Sequence, residues 1–134
     1  MSPLAAYVST ATTNGVNVVV RSRFLPDQSR PASKQYRFAY AVRIRNNSAH
    51  PVQLLSRHWI ITDANGKTTE VVGSGVVGEQ PVLEPGGHFE YVSSAMLEVP
   101  SAEMRGTYRM LGPNGETFDA VIAPFTLAMP YSLN

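Results

Sequence analysis

The run Gly73-Ser74-Gly75-Val76-Val77-Gly78 has the glycine spacing GxGxxG. In a dinucleotide-binding fold that spacing joins a strand to a helix, whose N-terminal amides and dipole hold a pyrophosphate. Here the run leads into Glu79-Gln80-Pro81 and then another turn, and no helix begins. Without a helix the glycines can still shape a nest of backbone amides for an anion, but the dipole is missing and Glu79 would repel a phosphate. The candidate anion loop is therefore Gly73, Ser74, Gly75 and Gly78, with pyrophosphate or a nucleotide as its ligand. The competing reading is a loop whose glycines only permit turns.

Other chemistry-bearing residues do not assemble in the sequence. Arg57-His58-Trp59 reads as part of a strand, where successive side chains alternate and His58 points away from its two neighbours. A catalytic histidine needs a nucleophile and an orienting acid. Ser56, Ser94 and Glu79 are present without a spacing that commits them, so the expected role of His58 is a hydrogen-bonded packing residue. His50, His58 and His88 show neither HxH nor HExxH spacing, and the carboxylates form no calcium-loop run. No catalytic residue, metal ligand or cofactor is expected.

The elements that must carry these residues are strands. Residues 36–46 alternate cleanly, with Tyr36, Phe38, Tyr40, Val42 and Ile44 on one side. Arg37, Ala39, Ala41, Arg43 and Arg45 take the other. Residues 15–24 repeat the pattern, with Val16, Val18, Val20 and Phe24 opposite Asn17, Arg21 and Arg23. Residues 52–62 form a second long strand, with Leu55, Trp59 and Ile61 expected on one face and Leu54, His58 and Ile60 on the other. Trp59 is expected in the core. Asp63-Ala64-Asn65-Gly66 marks a hairpin, and residues 46–51 a turn in which the asparagines could take positive φ. Residues 67–72, 89–92, 96–99, 106–111 and 116–122 read as further strands. Residues 1–14 read as a loose lead-in, 25–35 as a surface loop, 73–87 as loop, and 124–133 as an apolar tail broken by proline. No window sustains a capped helical period. About seven strands at roughly ten-residue spacing predict an all-β antiparallel sandwich of the immunoglobulin or fibronectin type III kind, without a disulfide.

Composition bounds the rest. The chain has 134 residues, enough for one domain with a real core. It holds no cysteine, which excludes disulfides and thiol chemistry. A net charge of +1 provides no overall field toward nucleic acid or membrane, so any anion site must be local. No signal-like leader and no apolar run of about 20 residues is seen, and the expectation is a cytoplasmic protein with no membrane association.

The segments QLLSRHWIITDANG (53–66), GVVGEQPVLEPGG (75–87), MRGTY (104–108) and APFTL (123–127) closely resemble the bacterial ApaG family. The resemblance extends over nearly the whole chain from about residue 7. It implies a fibronectin type III-like sandwich, a genetic link to cobalt and magnesium resistance or efflux, and, from eukaryotic proteins carrying the same domain, protein binding. Ser74 replaces an acidic residue found in many members, and Ala102 a glycine. The functional expectation is a non-enzymatic binding or regulatory domain acting through protein–protein recognition, with a pyrophosphate or nucleotide sensor as the alternative. The expected interaction surface is Arg37, Arg43 and Arg45 together with Glu79 and Gln80. Nucleic acid is disfavoured, because the aromatics of these strands alternate away from the arginines. Open sheet edges would permit a homodimer.

Overall fold

The computed structural model describes residues 7–130. They form nine strands: β1 (Tyr7–Thr13), β2 (Val16–Phe24), β3 (Tyr36–Asn46), β4 (Val52–Asp63), β5 (Thr68–Ser74), β6 (Val82–Leu83), β7 (His88–Leu97), β8 (Ser101–Leu111) and β9 (Thr117–Ala128). The first sheet has the order β1-β2-β3-β7 and the second β5-β4-β8-β9, with β6 pairing the start of β4. All pairings are antiparallel. The all-β sandwich read from the sequence is the observed fold.

Nine strands rather than about seven arise for identifiable reasons. Residues 7–13, read as lead-in, pair with β2 along their length. Their weak alternation follows from an edge position in which only Ser9 is buried. The part of that lead-in before Tyr7, and the tail beyond residue 130, lie outside the described residues. The two short pieces at 89–92 and 96–99 are one strand, β7, because Ser93 and Ser94 pair with Tyr40 and Ala39 without a break. The last strand runs past Pro124 to Ala128. The β8–β9 register shifts there, between Met104/Gly106 and Phe125/Ile122, so the proline sits at a bulge that needs no ladder N–H from it. Residues 25–35 hold two single 3-10 turns, Pro26–Gln28 and Pro31–Ser33.

The core lies between the sheets. Strict alternation in β2 and β3 sends Val16, Val18, Val20, Phe38, Val42 and Ile44 inward with almost no exposure. From the other side come Leu54, Trp59, Met104, Tyr108, Met110, Ile122 and Leu127. Trp59 is the aromatic hub, edge-on to Tyr108 and Phe125 at 6.0 Å and to Tyr40 at 5.3 Å. Such edge-to-face pairs add to area burial because the positive ring edge meets a negative face.

In β4 the expected face assignment is corrected. Leu54 and Trp59 are both buried although their numbers differ in parity. The register against β8 slips between Leu54 and Ser56, so Leu55 is an extra residue that inverts the alternation. Beyond the bulge Arg57, Trp59 and Ile61 face the other sheet, while Ser56, His58 and Ile60 face outward.

The 46–51 turn also works differently from the expectation. Neither asparagine takes positive φ. Asn46, fully buried, donates through Nδ2 to the carbonyls of His50 (2.7 Å) and Leu83 (2.9 Å) and accepts the Ser48 amide and hydroxyl at Oδ1. A saturated side chain thus holds β3, the turn and β6 together. At the 63–66 hairpin Gly66 alone supplies positive φ, with Asp63 Oδ1 accepting the amides of Asn65 and Lys67.

On one flank the sandwich is closed: β1 and β2 lie against β9. The Ser22 hydroxyl donates to the Thr126 carbonyl (2.6 Å), and the Val121 amide to Thr13 Oγ1 (3.1 Å). On the opposite flank β7 and β5 are both edge strands.

Gly106 sits opposite Trp59 in the β4–β8 pair, and a Cβ there would run into the His58 carbonyl. Gly106→Ala is therefore expected to destabilise the fold by about 3 kcal/mol, at the upper end for overpacking, because backbone rather than a rotamer must yield. Urea denaturation checks this; a loss under about 0.5 kcal/mol, as at an ordinary surface site, would contradict the packing described.

Candidate functional site

The glycines of the GxGxxG run each answer a local demand. Arg57, turned inward by the bulge, extends under β5, and its Nη1 donates to the carbonyls of Ser74 (2.9 Å) and Gly75 (2.8 Å). A Cβ on Gly73 would lie 2.7 Å from that guanidinium. Gly75 has φ of +59° and approaches the Glu79 carbonyl more closely than any Cβ allows. Val76 through Glu79 form a tight turn with two reciprocal backbone bonds (2.8 and 2.9 Å), with positive φ at Val77 and Gly78. Val76 is buried in the core while Val77 points to solvent.

The loop docks on the β4 bulge. The Leu55 carbonyl, freed by the slip, accepts the Gly75 amide (2.8 Å) and the Gln80 side-chain amide (2.9 Å). The Gln53 side chain donates to the Gln80 carbonyl (3.0 Å), and the Leu54 amide to that of Pro81 (3.0 Å). The amides of Gly75, Val76 and Glu79 are thus already donating inside the protein. Those three amides are therefore not free to receive an anion without giving up a bond within the fold. Ser74 is in the β5 ladder opposite Ser56.

Arg57 also faces Tyr91 and Tyr108, whose hydroxyls hydrogen-bond to each other between the sheets. Burial pushes both well above the ordinary tyrosine value of 10.0, and in Tyr108 the neighbouring Tyr91 pushes further. His58 projects from the outer face of the second sheet and bonds Glu70 (2.6 Å), not Glu79. The serine candidates are elsewhere: Ser56 lies opposite Arg109, and Ser94, on the first sheet, accepts from Arg37 (3.0 Å). His50 lies in the 46–51 turn and His88 opens β7, so the three histidines are dispersed. Among the described residues no group of three or more metal-ligating side chains is gathered.

The expected surface separates into two parts. Glu79 and Gln80 belong to the loop docked on the second sheet. Arg37, Arg43 and Arg45 lie on the outer face of the first, joined by Arg21 and Arg23 from β2. Cross-strand register sets them in rows: Arg21 beside Ala41 and Val92, Arg43 between Val19 and Glu90, Arg45 between Asn17 and His88. Ion pairs among the described residues are His58–Glu70, His88–Glu90, Arg105–Glu103 and Arg109–Asp119. None includes an arginine of the first sheet. Glu90, the carboxylate opposite Arg43, lies 3.7 Å from His88 instead.

The strand alternation made Arg37, Arg43 and Arg45 readable as one face. Missed from the sequence were Ala39 and Ala41 as a gap between them, and Arg57 as the residue that organises the glycine loop. The alanines are visible in the sequence as weak β-formers at outward positions of a central strand. Nothing short of the bulge reveals where Arg57 points.

Comparison with known proteins gives one consistent result. The ApaG domain model matches residues 26–112. The Protein ApaG of Anaeromyxobacter dehalogenans strain 2CP-C is 57% identical over 127 residues, covering 95% of this chain and 100% of the relative. That of Bordetella pertussis strain Tohama I is 52% identical over 119 residues, covering 89% of this chain and 91% of the relative. The crystal structure of the ApaA protein from Bordetella pertussis superposes with a TM-score of 0.84 at 52% identity, over 87% of this chain and 95% of that one. The C-terminal domain of wzt, at 9% identity and a TM-score of 0.51 over 96% of this chain and 81% of that one, shares the fold alone.

Two outcomes follow from this geometry. Val77 is a β-branched residue at φ of +43°, so Val77→Asn is expected to stabilise the protein by about 1 kcal/mol in urea denaturation, since asparagine tolerates that region. An unchanged or lower stability would mean that the valine side chain holds the turn. The raised tyrosine pKa values favour the neutral forms on folding. Their contribution is complete below about pH 10 and lost as the pH climbs from there toward the higher folded values. Tyrosinate absorbance should therefore show Tyr91 and Tyr108 ionising only as the protein unfolds in alkali, and ionisation of every tyrosine near pH 10 in folded protein would contradict the buried pair.

Proposed function

The chain belongs to the ApaG family, and from that premise we propose that it is a non-enzymatic recognition domain that binds another protein through the outer face of its β1-β2-β3-β7 sheet. The observation that carries this reading is a segregation of charge. Five arginines, Arg21, Arg23, Arg37, Arg43 and Arg45, share that face with the single carboxylate of Glu90, on a chain whose net charge is only +1. Arginine is the side chain best suited to meeting carboxylates at an interface, through its planar, weakly hydrated fork. On the second sheet Arg105 and Arg109 have carboxylate partners within the chain; among the described residues the first-sheet arginines have none.

The open flank supports a homodimer as a second mode of association. β5 is exposed along almost its whole length, carries Val71 and Val72 at the surface, and has one side of its backbone unpaired. That is a template for a second copy's strand. Pyrophosphate or nucleotide binding at Gly73, Ser74, Gly75 and Gly78 has less to rest on, given the engaged amides and the Arg57 guanidinium already on the loop carbonyls. No helix in the described residues is long and apolar enough to cross a membrane, and we assign the domain to the cytoplasm. On this reading the link to cobalt and magnesium efflux runs through the partner rather than through metal held by this chain.

Affinity capture with three versions of the protein tests the proposal. Wild type and a variant of the opposite sheet, His58→Ala/Glu70→Ala, should retain the same discrete protein, and Arg21→Glu/Arg43→Glu should lose it while keeping a wild-type circular dichroism spectrum. Retention indifferent to arginine reversal would overturn the reading. In a parallel titration, pyrophosphate, ATP and diadenosine tetraphosphate should leave the amide resonances of residues 73–80 in place; saturable shifts confined to that loop would make it an anion sensor instead.

A further inference from the structure

The outward residues of β3 read Arg37, Ala39, Ala41, Arg43, Arg45. Alanine is depleted in strands because it covers little of the pleated surface, and β3 is interior to its sheet, flanked by β2 and β7. Two alanines in succession on its outer face leave a hollow where neighbouring strands carry longer side chains. A groove of about 410 Å³ passes over Ala41 between Val19, Arg21, Arg43, Glu90 and Val92. A second depression of about 270 Å³ continues it over Ala39 toward Arg23, sharing Arg21, Ala41 and Val92.

The floor and one wall of this hollow are apolar: Ala39 and Ala41 lie beneath it, and Val92, 66% exposed, stands beside it. The rim is mostly cationic, with Glu90 as the one carboxylate in its lining. Arg21 and Arg23 stand two residues apart on β2, Arg43 lies diagonal to Arg21 across the strand pair, and Arg37 closes the far end of β3. Same-face neighbours along a strand are about 7 Å apart, so the arginine positions are spread along the hollow and not gathered at a single point. That spacing suits several separate carboxylates around one apolar side chain better than one compact phosphate.

Resting on the recognition reading above, we infer that the Ala39–Ala41 hollow receives an acidic segment of another protein: one apolar side chain seated on the alanines, with Asp or Glu on either side meeting Arg21 and Arg43. Each such contact is a charge-assisted, bidentate-capable bond, and charge complementarity selects the partner by repelling basic segments. Single-stranded nucleic acid, the other polyanion to consider, binds by stacking bases on aromatic rings. The aromatics of β3, Tyr36, Phe38 and Tyr40, face the core side.

A random peptide-display library selected on the wild-type protein tests this directly. Enriched sequences should carry an apolar residue flanked by Asp or Glu. As synthetic peptides they should shift the amide resonances of Ala39, Ala41 and Val92, and bind at least tenfold more weakly to Arg21→Glu/Arg43→Glu. Ala41→Trp fills the exposed hollow and leaves every arginine in place; it should weaken binding by a similar factor. Acidic peptides whose binding ignores Ala41→Trp but falls with arginine reversal would overturn the hollow while leaving the recognition face intact. Selection of peptides without acidic residues, or shifts along β5 or β7 instead, would remove both. Tighter binding of an oligothymidylate or of inorganic polyphosphate than of any selected peptide would turn the face into a polyanion site and overturn the proposal.

Discussion

The slip of one residue at Leu55 is the constraint on which the second sheet depends. Without it, Leu54 and Trp59 would face opposite sides of β4, and the aromatic contacts of Trp59 with Tyr40, Tyr108 and Phe125 could not form alongside a buried Leu54. The same slip turns Arg57 inward to the carbonyls of Ser74 and Gly75 and frees the Leu55 carbonyl for Gly75 and Gln80. Core, arginine latch and glycine loop are thus consequences of one extra residue in one strand. A bulge commonly re-aims side chains in this way, and here it converts a sequence resembling a phosphate cradle into a docked turn.

The first sheet has no such slip along β2 and β3, and its uninterrupted period produces an asymmetry of charge. The inward residues are apolar or aromatic except Ser22 and Asn46, whose polar atoms are hydrogen-bonded inside the protein, and the outward positions are left to polar and small side chains. Arginines gather there with no carboxylate among the described residues paired to them, whereas the outer face of the second sheet neutralises its arginines internally. Like charges within about 7 Å of one another gain nothing for folding on their own. Their placement on one water-facing sheet, with cations paired elsewhere, is what the proposed recognition role rests on.

What could be read from the sequence follows the same division. β3 was legible residue by residue, arginines included, because an unbroken period of two states both faces at once. β4 was legible as a strand, with Trp59 and Ile61 opposite His58 and Ile60, but Leu54 and Leu55 were assigned to the wrong faces, since a bulge leaves no mark in residue types. Pro124 concealed the continuation of β9, as a proline at a bulge looks like a proline that ends a strand. β1 was hidden by its edge position, with little apolar residue to bury. The GxGxxG run was visible as spacing, yet its meaning depended on Arg57, whose direction only the bulge decides. Glu79 and Gln80 were grouped with the arginines because the glycine loop was expected to share the contact, and that loop is docked on the second sheet.

The central claim, that the first-sheet arginines serve recognition and not the fold, is tested most directly by the stability of the protein without their charge. Equilibrium urea unfolding of Arg21→Gln/Arg23→Gln/Arg43→Gln against wild type measures it. The account predicts a free energy of unfolding unchanged to within about 0.5 kcal/mol or increased, as expected for unpaired surface charges relieved of mutual repulsion. A loss of about 2 kcal/mol or more would show that the arginines hold the sandwich together, and would contradict it.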